Sequence, residues 1–158
     1  DTFNFIRIGT FIERSNNTAS ILNTKYYRIL LRKSVYVNKI DYNRWEILLR
    51  SLSAWRSFNW LSGEYLDPAA ITNFLIFDER MPRSLSFCNR EILSNLGYLQ
   101  QTYEKKYQSF NVAKNTQKSL TSGIIRTAHN KKLYNFIKEY TQKNEKLHST
   151  ITKEFNLV

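Results

Sequence analysis

Residues 5–29, with the sequence FIRIGTFIERSNNTASILNTKYYRI, carry the pattern that decides the fold. Apolar positions recur there in alternating steps of three and four, with one small polar member in the series. The series comprises Phe5, Ile8, Ile12, Ser15, Ala19, Leu22, Tyr26 and Ile29. Because an α-helix turns once every ~3.6 residues, these positions lie along one side of a helix. The stripe predicts a helix over residues 2–32 that packs along the seam of a helical bundle.

The rest of the chain also predicts helices and no sheet. Its 4 glycines and 2 prolines lie far apart, whereas a sheet protein needs a turn about every 8–12 residues. Further helices are expected at about 41–61, 68–77, 84–103 and 124–156. We therefore predict an all-α fold, an antiparallel bundle of four to five helices, which forms one domain over residues 1–158.

Signals for helix ends and loops refine this picture. Asp41 and Asp67 are expected N-caps, with Pro68 at the first helical position, and Gly63 is an expected C-terminal stop. Residues 33–40 are expected to form a connection, and the polar segment 109–123 a loop or frayed segment. The apolar positions of the predicted helices are expected to be buried, in particular Trp45, Leu48, Leu52, Leu75, Cys88, Ile92 and Phe136.

Composition excludes several classes of protein. The 158 residues include 24 Lys+Arg and 13 Asp+Glu, a net charge of +11, and 42% hydrophobic residues, too many for a disordered chain. One cysteine cannot form an internal disulfide, and no apolar run approaches the ~20 residues of a membrane span. The chain begins at Asp1 with nothing that looks like a signal peptide, so a cytoplasmic location without membrane contact is expected.

Sites for common cofactors and nucleophiles lack support in the sequence. No two glycines are close enough for a phosphate-binding loop, and His129 and His148 have no second ligand at metal-binding spacing. We predict neither a metal site nor a cofactor. Cys88 lies on the apolar stripe of its helix, where a cysteine is usually a small hydrophobic residue rather than a nucleophile.

Glu13 is the charged residue of most interest in the first helix. It points away from the apolar stripe, and its neighbours on that face are small or amide residues together with Ile6. Spacing alone favours a solvated face on which Glu13 and Arg14 form a weak pair. The segment 78–84 is similarly open to two interpretations, because Asp78 and Ser84 are suitable helix caps and Arg83 suits a solvated position.

Several motifs, in order along the chain, resemble the bacterial Alpha-E family. Residues 5–22 (FIRIGTFIERSNNTASIL) are similar to the family's LGRYLERADxTARIL type of segment. Residues 45–54 (WEILLRSLSA), 74–78 (FLIFD) and 82–88 (PRSLSFC) resemble its next two blocks, and 133–155 resembles its closing helix. The resemblance covers most of the chain apart from about 103–123. It implies that the chain corresponds to the C-terminal half of a larger helical domain.

The resemblance also carries expectations about the site and its partners. Glu13 would correspond to the glutamate after which the family is named, whereas Asn16 stands where the family typically has an acidic residue. An ATP-grasp ligase or a transglutaminase-like protein is an implied partner, in ATP-dependent peptide or amide-bond formation or tagging. The missing N-terminal half, or a second copy of the chain, is expected to cover an exposed apolar surface. Glu13 is then expected to face another helix, held by Arg83 or Arg90.

Three functions remain open at this point. The first is an accessory domain that holds an acidic or peptide substrate through a charged cluster, comprising Glu13, Arg14, Asp78, Arg83 and Arg90. The second is an enzyme with Glu13 as general base, assisted by Arg14, which needs a raised pKa and a pocket. The third is binding to nucleic acid or another anionic surface, which the charge suggests. We disfavour nucleic acid, because the lysines flank no recognisable binding motif; they include Lys105, Lys106, Lys114, Lys118, Lys131 and Lys132.

Overall fold

A computed structural model describes residues 1–31, 39–63, 66–122 and 130–157 of the chain. Within those ranges the protein forms seven helices and no strand. The helices are α1 (Thr2–Leu31), α2 (Lys39–Ser51), α3 (Trp55–Ser62), α4 (Pro68–Phe77), α5 (Leu85–Thr102), α6 (Gln108–Thr121) and α7 (Asn130–Glu154). The prediction of an all-α fold is confirmed.

Four long helices make a bundle in which every neighbouring pair is antiparallel. Helix α1 packs against α5 and α7, and α6 completes the ring by packing against both α5 and α7. The direction is visible in two contacts of α1 with α5. At one end Tyr103 Oη donates to an Asp1 carboxylate oxygen at 2.7 Å, and further along Thr18 Oγ1 donates to the Arg83 carbonyl at 2.8 Å. The start of α1 therefore lies beside the end of α5.

The hydrophobic core has two parts. The first lies inside the bundle, where Ile8 and Ile12 of α1 meet Ile92 and Leu96 of α5. The second lies at the end of the bundle that contains the start of α5, where α2, α3 and α4 pack over it. All the side chains predicted to be buried are buried, as are the described members of the α1 stripe from Ile8 to Leu22. Among the described residues, no helix combines the length and apolarity needed to cross a membrane.

The segment predicted as one helix over 41–61 is two helices, so the predicted helix count was too low. Helix α2 begins at Lys39, so Asp41 lies within it and is not its N-cap. The chain turns after α2 with Ser53 in the left-handed region (φ 54°), and the Ala54 N–H donates to the Leu49 carbonyl at 2.7 Å. This turn places both Leu52 and Ala54 in the core, which a continuous helix would not do. Gly63 ends α3 as predicted, also at positive φ.

Helix α6 occupies the segment that was predicted to be a loop or frayed, so that prediction was wrong over residues 109–121. Its buried face carries Ser109, Ala113, Thr116 and Leu120, at steps of helical spacing. All but Leu120 are small or polar, and α5 approaches this face closely: Asn89 Nδ2 donates to the Ala113 carbonyl at 3.0 Å. The predicted last helix is α7, and the part of that prediction over 124–129 lies outside the described residues.

Ser84 should be the most sensitive of the helix caps. Its Oγ accepts from the Phe87 N–H at 3.0 Å and donates to the Asp78 carbonyl at 2.6 Å, and the residue is buried. Ser84→Ala removes both hydrogen bonds and should lower the free energy of unfolding by about 1–2 kcal/mol, measured by urea denaturation. The control Ser122→Ala alters an exposed hydroxyl at the end of α6. An equal loss in both variants would contradict the capping role.

Candidate functional site

One face of α1 turns towards the start of α5 and carries a stripe of four residues. These are Arg7, Phe11, Arg14 and Thr18, at helical steps of four, three and four. Thr18 binds the backbone of Arg83, as described above, and Arg7 forms an ion pair with Glu91 at 2.6 Å. Because Arg14 lies one helical turn from Thr18, the stripe brings Arg14 to the segment that begins α5.

Aromatic rings separate and support the arginines along this face. The Arg14 guanidinium lies 5.5 Å from the centroid of the Phe11 ring, and the Phe11 and Phe87 rings are 5.9 Å apart. On α5 the Arg90 guanidinium lies 4.9 Å from the Phe87 ring. Such contacts hold a guanidinium in place through the negative face of the ring while its N–H groups stay available.

Arg14 and Arg83 both act on the buried thiol of Cys88. Burial raises the pKa of Cys88 to about 12, and the positive charges of Arg14 and Arg83 oppose that rise. Both guanidinium groups are therefore near enough to the start of α5 for their charges to act on this thiol. Neither forms an ion pair with any residue that the structure describes, and both are half-buried. Two half-buried cations near the start of α5 thus have no anionic partner among the described residues.

The other charged residues predicted for the site are engaged elsewhere. Arg90 forms ion pairs with Glu79 at 3.4 Å and Glu91 at 3.5 Å. Asp78 accepts hydrogen bonds from the Arg80 side chain and backbone, and the Arg80 side chain holds the pKa of Asp78 below its ordinary value. Asp78 and Arg90 are therefore each paired with charges other than Arg14.

Glu13 lies on the outward face of α1 and is exposed. It forms no ion pair within the described ranges, so the expectation that Arg83 or Arg90 holds it against another helix was wrong. The neighbouring Gly9 is exposed too, and a Cβ there would contact nothing within 4 Å. The solvated face favoured by spacing alone is what the structure shows. Phe3 and Ile6 extend the same face and are 67% and 63% exposed.

Asn16 has a structural role in the contact between α1 and α7. Asn16 Oδ1 accepts from Asn144 Nδ2 of α7 at 2.7 Å, and the same amide lies 2.9 Å from Ser15 Oγ. Within the described part of the chain, no group of three or more His, Cys, Asp or Glu side chains is placed to hold a metal.

Two partners in the site were missed by sequence reasoning. They are Arg7 and Glu91, which form an ion pair between α1 and α5. Because Arg7 lies seven residues before Arg14, the sequence could have predicted that both arginines lie on one side of α1. The pairing with Glu91 has no comparable signal, since it depends on how α1 and α5 align.

Comparison with known proteins finds one family whose model matches nearly the whole chain. The model of the Alpha-E family, described as a predicted alpha-helical domain with a conserved ER motif, matches residues 1–155. The chain contains the Glu-Arg dipeptide at Glu13-Arg14 and again at Glu79-Arg80. No curated protein and no solved structure matches the chain significantly. The interpretation as the C-terminal half of a larger domain stays a prediction.

Proposed function

This chain belongs to the Alpha-E family, and from that membership we propose that it is an accessory domain that holds the substrate of an ATP-grasp-type ligase. The ligase would form a peptide or amide bond at the expense of ATP, or tag a peptide. The cytoplasm is the proposed location because ATP is available there. The domain's part would be to bind and orient an acidic group of the peptide.

The observation that carries the proposal is the pair of cations at Arg14 and Arg83. Both guanidinium groups are half-buried, and neither has an anionic partner among the described residues. A guanidinium offers planar N–H donors that match a carboxylate, and partial burial strengthens such bonds relative to those in open water. A peptide carboxylate between the two would satisfy both charges.

The environment of this pair suits binding better than catalysis. Glu13 is exposed, without the enclosing pocket that would favour a general base. Cys88 is buried with a raised pKa, which suppresses the nucleophilic thiolate. Glu13 and the outward face of α1 would remain free for contact with the ligase or with a positively charged group of the peptide.

The proposal is tested by titrating the domain with a short glutamate-rich peptide at low salt, using calorimetry. Arg14→Gln and Arg83→Gln should each weaken binding about tenfold, because each removes a charge-assisted hydrogen bond. Lys106→Gln, which removes the same charge from an exposed site, is the matched control and should change binding little. An equal loss of peptide affinity in Lys106→Gln would contradict the proposal that Arg14 and Arg83 form the binding site.

A second measurement tests the partner. ATP-dependent ligation by an ATP-grasp-type ligase co-expressed with the domain should increase when the wild-type domain is present. The increase should disappear with the Arg14→Gln and Arg83→Gln double variant and persist with Lys106→Gln. Ligation that does not respond to the wild-type domain would refute the accessory role, even if the peptide binds.

Binding to nucleic acid is the competing function, and exposed lysines on α6, α7 and the segment before α6 favour it. They are Lys105, Lys106, Lys114, Lys118, Lys131 and Lys132. Such binding would fall steeply with salt, because each phosphate contact releases counterions. A mixed-sequence DNA duplex that binds more tightly than the peptide, and is insensitive to Arg14→Gln, would favour this alternative.

A further inference from the structure

An open cavity of about 490 Å³ lies between α3 and α4, outside the site described above. Its volume falls within the range of about 300–1,000 Å³ that is typical of small-molecule sites. Phe74 and Met81 form apolar walls, and Trp60 and Leu61 of α3 complete the lining together with Ser57. The cavity is thus mostly apolar, with a small number of polar groups.

Trp60 is unusual among the aromatic residues that the structure describes. Its side chain is 85% exposed, although it borders an apolar cavity. A large apolar side chain that stays in water beside such a cavity is characteristic of a binding surface. A ligand in the cavity would cover one face of the indole ring.

The charges that line the cavity indicate which charge a ligand should carry. Arg56 lies one turn before Trp60 on the same face of α3, is exposed, and has no ion-pair partner among the residues described. Arg80 also lines the cavity, but its charge is balanced by Asp78 at 2.7 Å. The cavity therefore has one uncompensated positive charge beside an apolar wall.

An adjoining space on the other side of Arg80 differs in charge from the first cavity. It measures about 540 Å³, shares Leu61 and Phe74 with the first cavity, and is lined by Asp78 and Glu79. Both carboxylates are paired with arginines, Asp78 with Arg80 and Glu79 with Arg90, so a second anionic group of a ligand would meet no uncompensated positive charge there. The combination favours a ligand with a single negative charge.

We propose that this cavity binds a monocarboxylate carried on a large apolar group, with the carboxylate at Arg56 and the apolar group against Trp60, Phe74 and Met81. The carboxyl-terminal residue of a peptide and a free aryl or alkyl acid share this chemistry. The site is independent of Arg14 and Arg83, so it can be tested separately from the proposed function.

The test follows the Trp60 indole resonance by NMR and binding by calorimetry, with N-acetyl-L-phenylalanine as the probe. N-acetyl-L-phenylalaninamide has the same apolar group without the charge and should bind about five- to tenfold more weakly. Arg56→Gln should remove this preference, so that acid and amide bind alike. Trp60→Ala should weaken both by at least about tenfold, and Lys106→Gln should have no effect.

The same titration distinguishes the two sources of the carboxylate. 3-Phenylpropionate lacks the acetamido group, so tighter binding of N-acetyl-L-phenylalanine indicates a peptide terminus and equal binding indicates a free acid. Equal affinity of the wild-type protein for acid and amide would overturn the proposal. A saturating probe that leaves the Trp60 resonance unmoved would also overturn it. Arg56 and Trp60 are exposed, so circular dichroism of both variants should match the wild type.

Discussion

Phe58→Ala should lower the free energy of unfolding by about 3–5 kcal/mol, the largest stability loss that we expect from one substitution. Phe58 is the buried anchor of the short helix α3, with 0% exposure, and its ring lies 5.5 Å from the Phe74 ring in an edge-to-face arrangement. Alanine would leave a cavity beneath α3 and remove this aromatic pair. Urea denaturation, monitored by circular dichroism, measures the loss.

The control for this prediction lies two residues further along the same helix. Trp60 is a larger aromatic side chain, but it is 85% exposed, so Trp60→Ala should change stability by less than about 0.5 kcal/mol. Because alanine favours the helix at both positions, a comparable loss in both variants would contradict burial as the source of the effect. Phe58→Leu should fall between the two, because it keeps most of the apolar volume.

Alkylation of Cys88 by iodoacetamide should be at least about a thousandfold slower in the folded protein than in the unfolded chain. Burial raises the pKa of the thiol from an ordinary 9.0 to about 12. A raised pKa disfavours the thiolate, and each pKa unit reduces the reactive fraction about tenfold near neutral pH. Steric exclusion of the reagent from a fully buried sulfur slows the reaction further.

Mass spectrometry of the protein with and without concentrated guanidinium chloride measures both rates, and Cys88→Ser corrects for reaction at other residues. Arg14→Gln removes one of the charges that oppose the rise in pKa, so the folded protein should then react still more slowly. Rapid alkylation of the folded wild type would show that the thiol is accessible. It would also reopen a nucleophilic role for Cys88.

The helices that could be predicted are those whose apolar spacing or end signals are visible in the sequence. The stripe from Ile8 to Leu22 placed α1, and the Asp67-Pro68 signal placed the start of α4, where the Ala70 N–H donates to Asp67 at 2.9 Å. Helix α6 was missed because close packing against α5 selects small and polar side chains such as Ser109 and Thr116, which leave no apolar stripe. The break at Ser53 was missed because no glycine marks its positive φ.

The site was predictable only in part, for a reason that lies in helix geometry. Successive residues of a helix point about 100° apart, so Glu13 and Arg14 cannot both face α5. Arg14 shares its side of α1 with Phe11 and Thr18, which leaves Glu13 in solvent. The approach of Arg83 depends on the turn before α5, which local sequence does not encode. The cavity beside Trp60 depends in turn on the break between α2 and α3.

The position of α1 between α5 and α7 has a consequence for how the chain folds during synthesis. Both neighbours of α1 lie far along the chain, since the Arg83 carbonyl that Thr18 binds is 65 residues away in sequence and the Asn144 amide that binds Ser15 is 129 residues away. Contacts between such distant segments form slowly, because a long loop must close first. During synthesis the apolar side of α1 is therefore exposed to water until α7 has emerged from the ribosome. For that interval the nascent chain offers molecular chaperones a binding segment that the finished protein conceals.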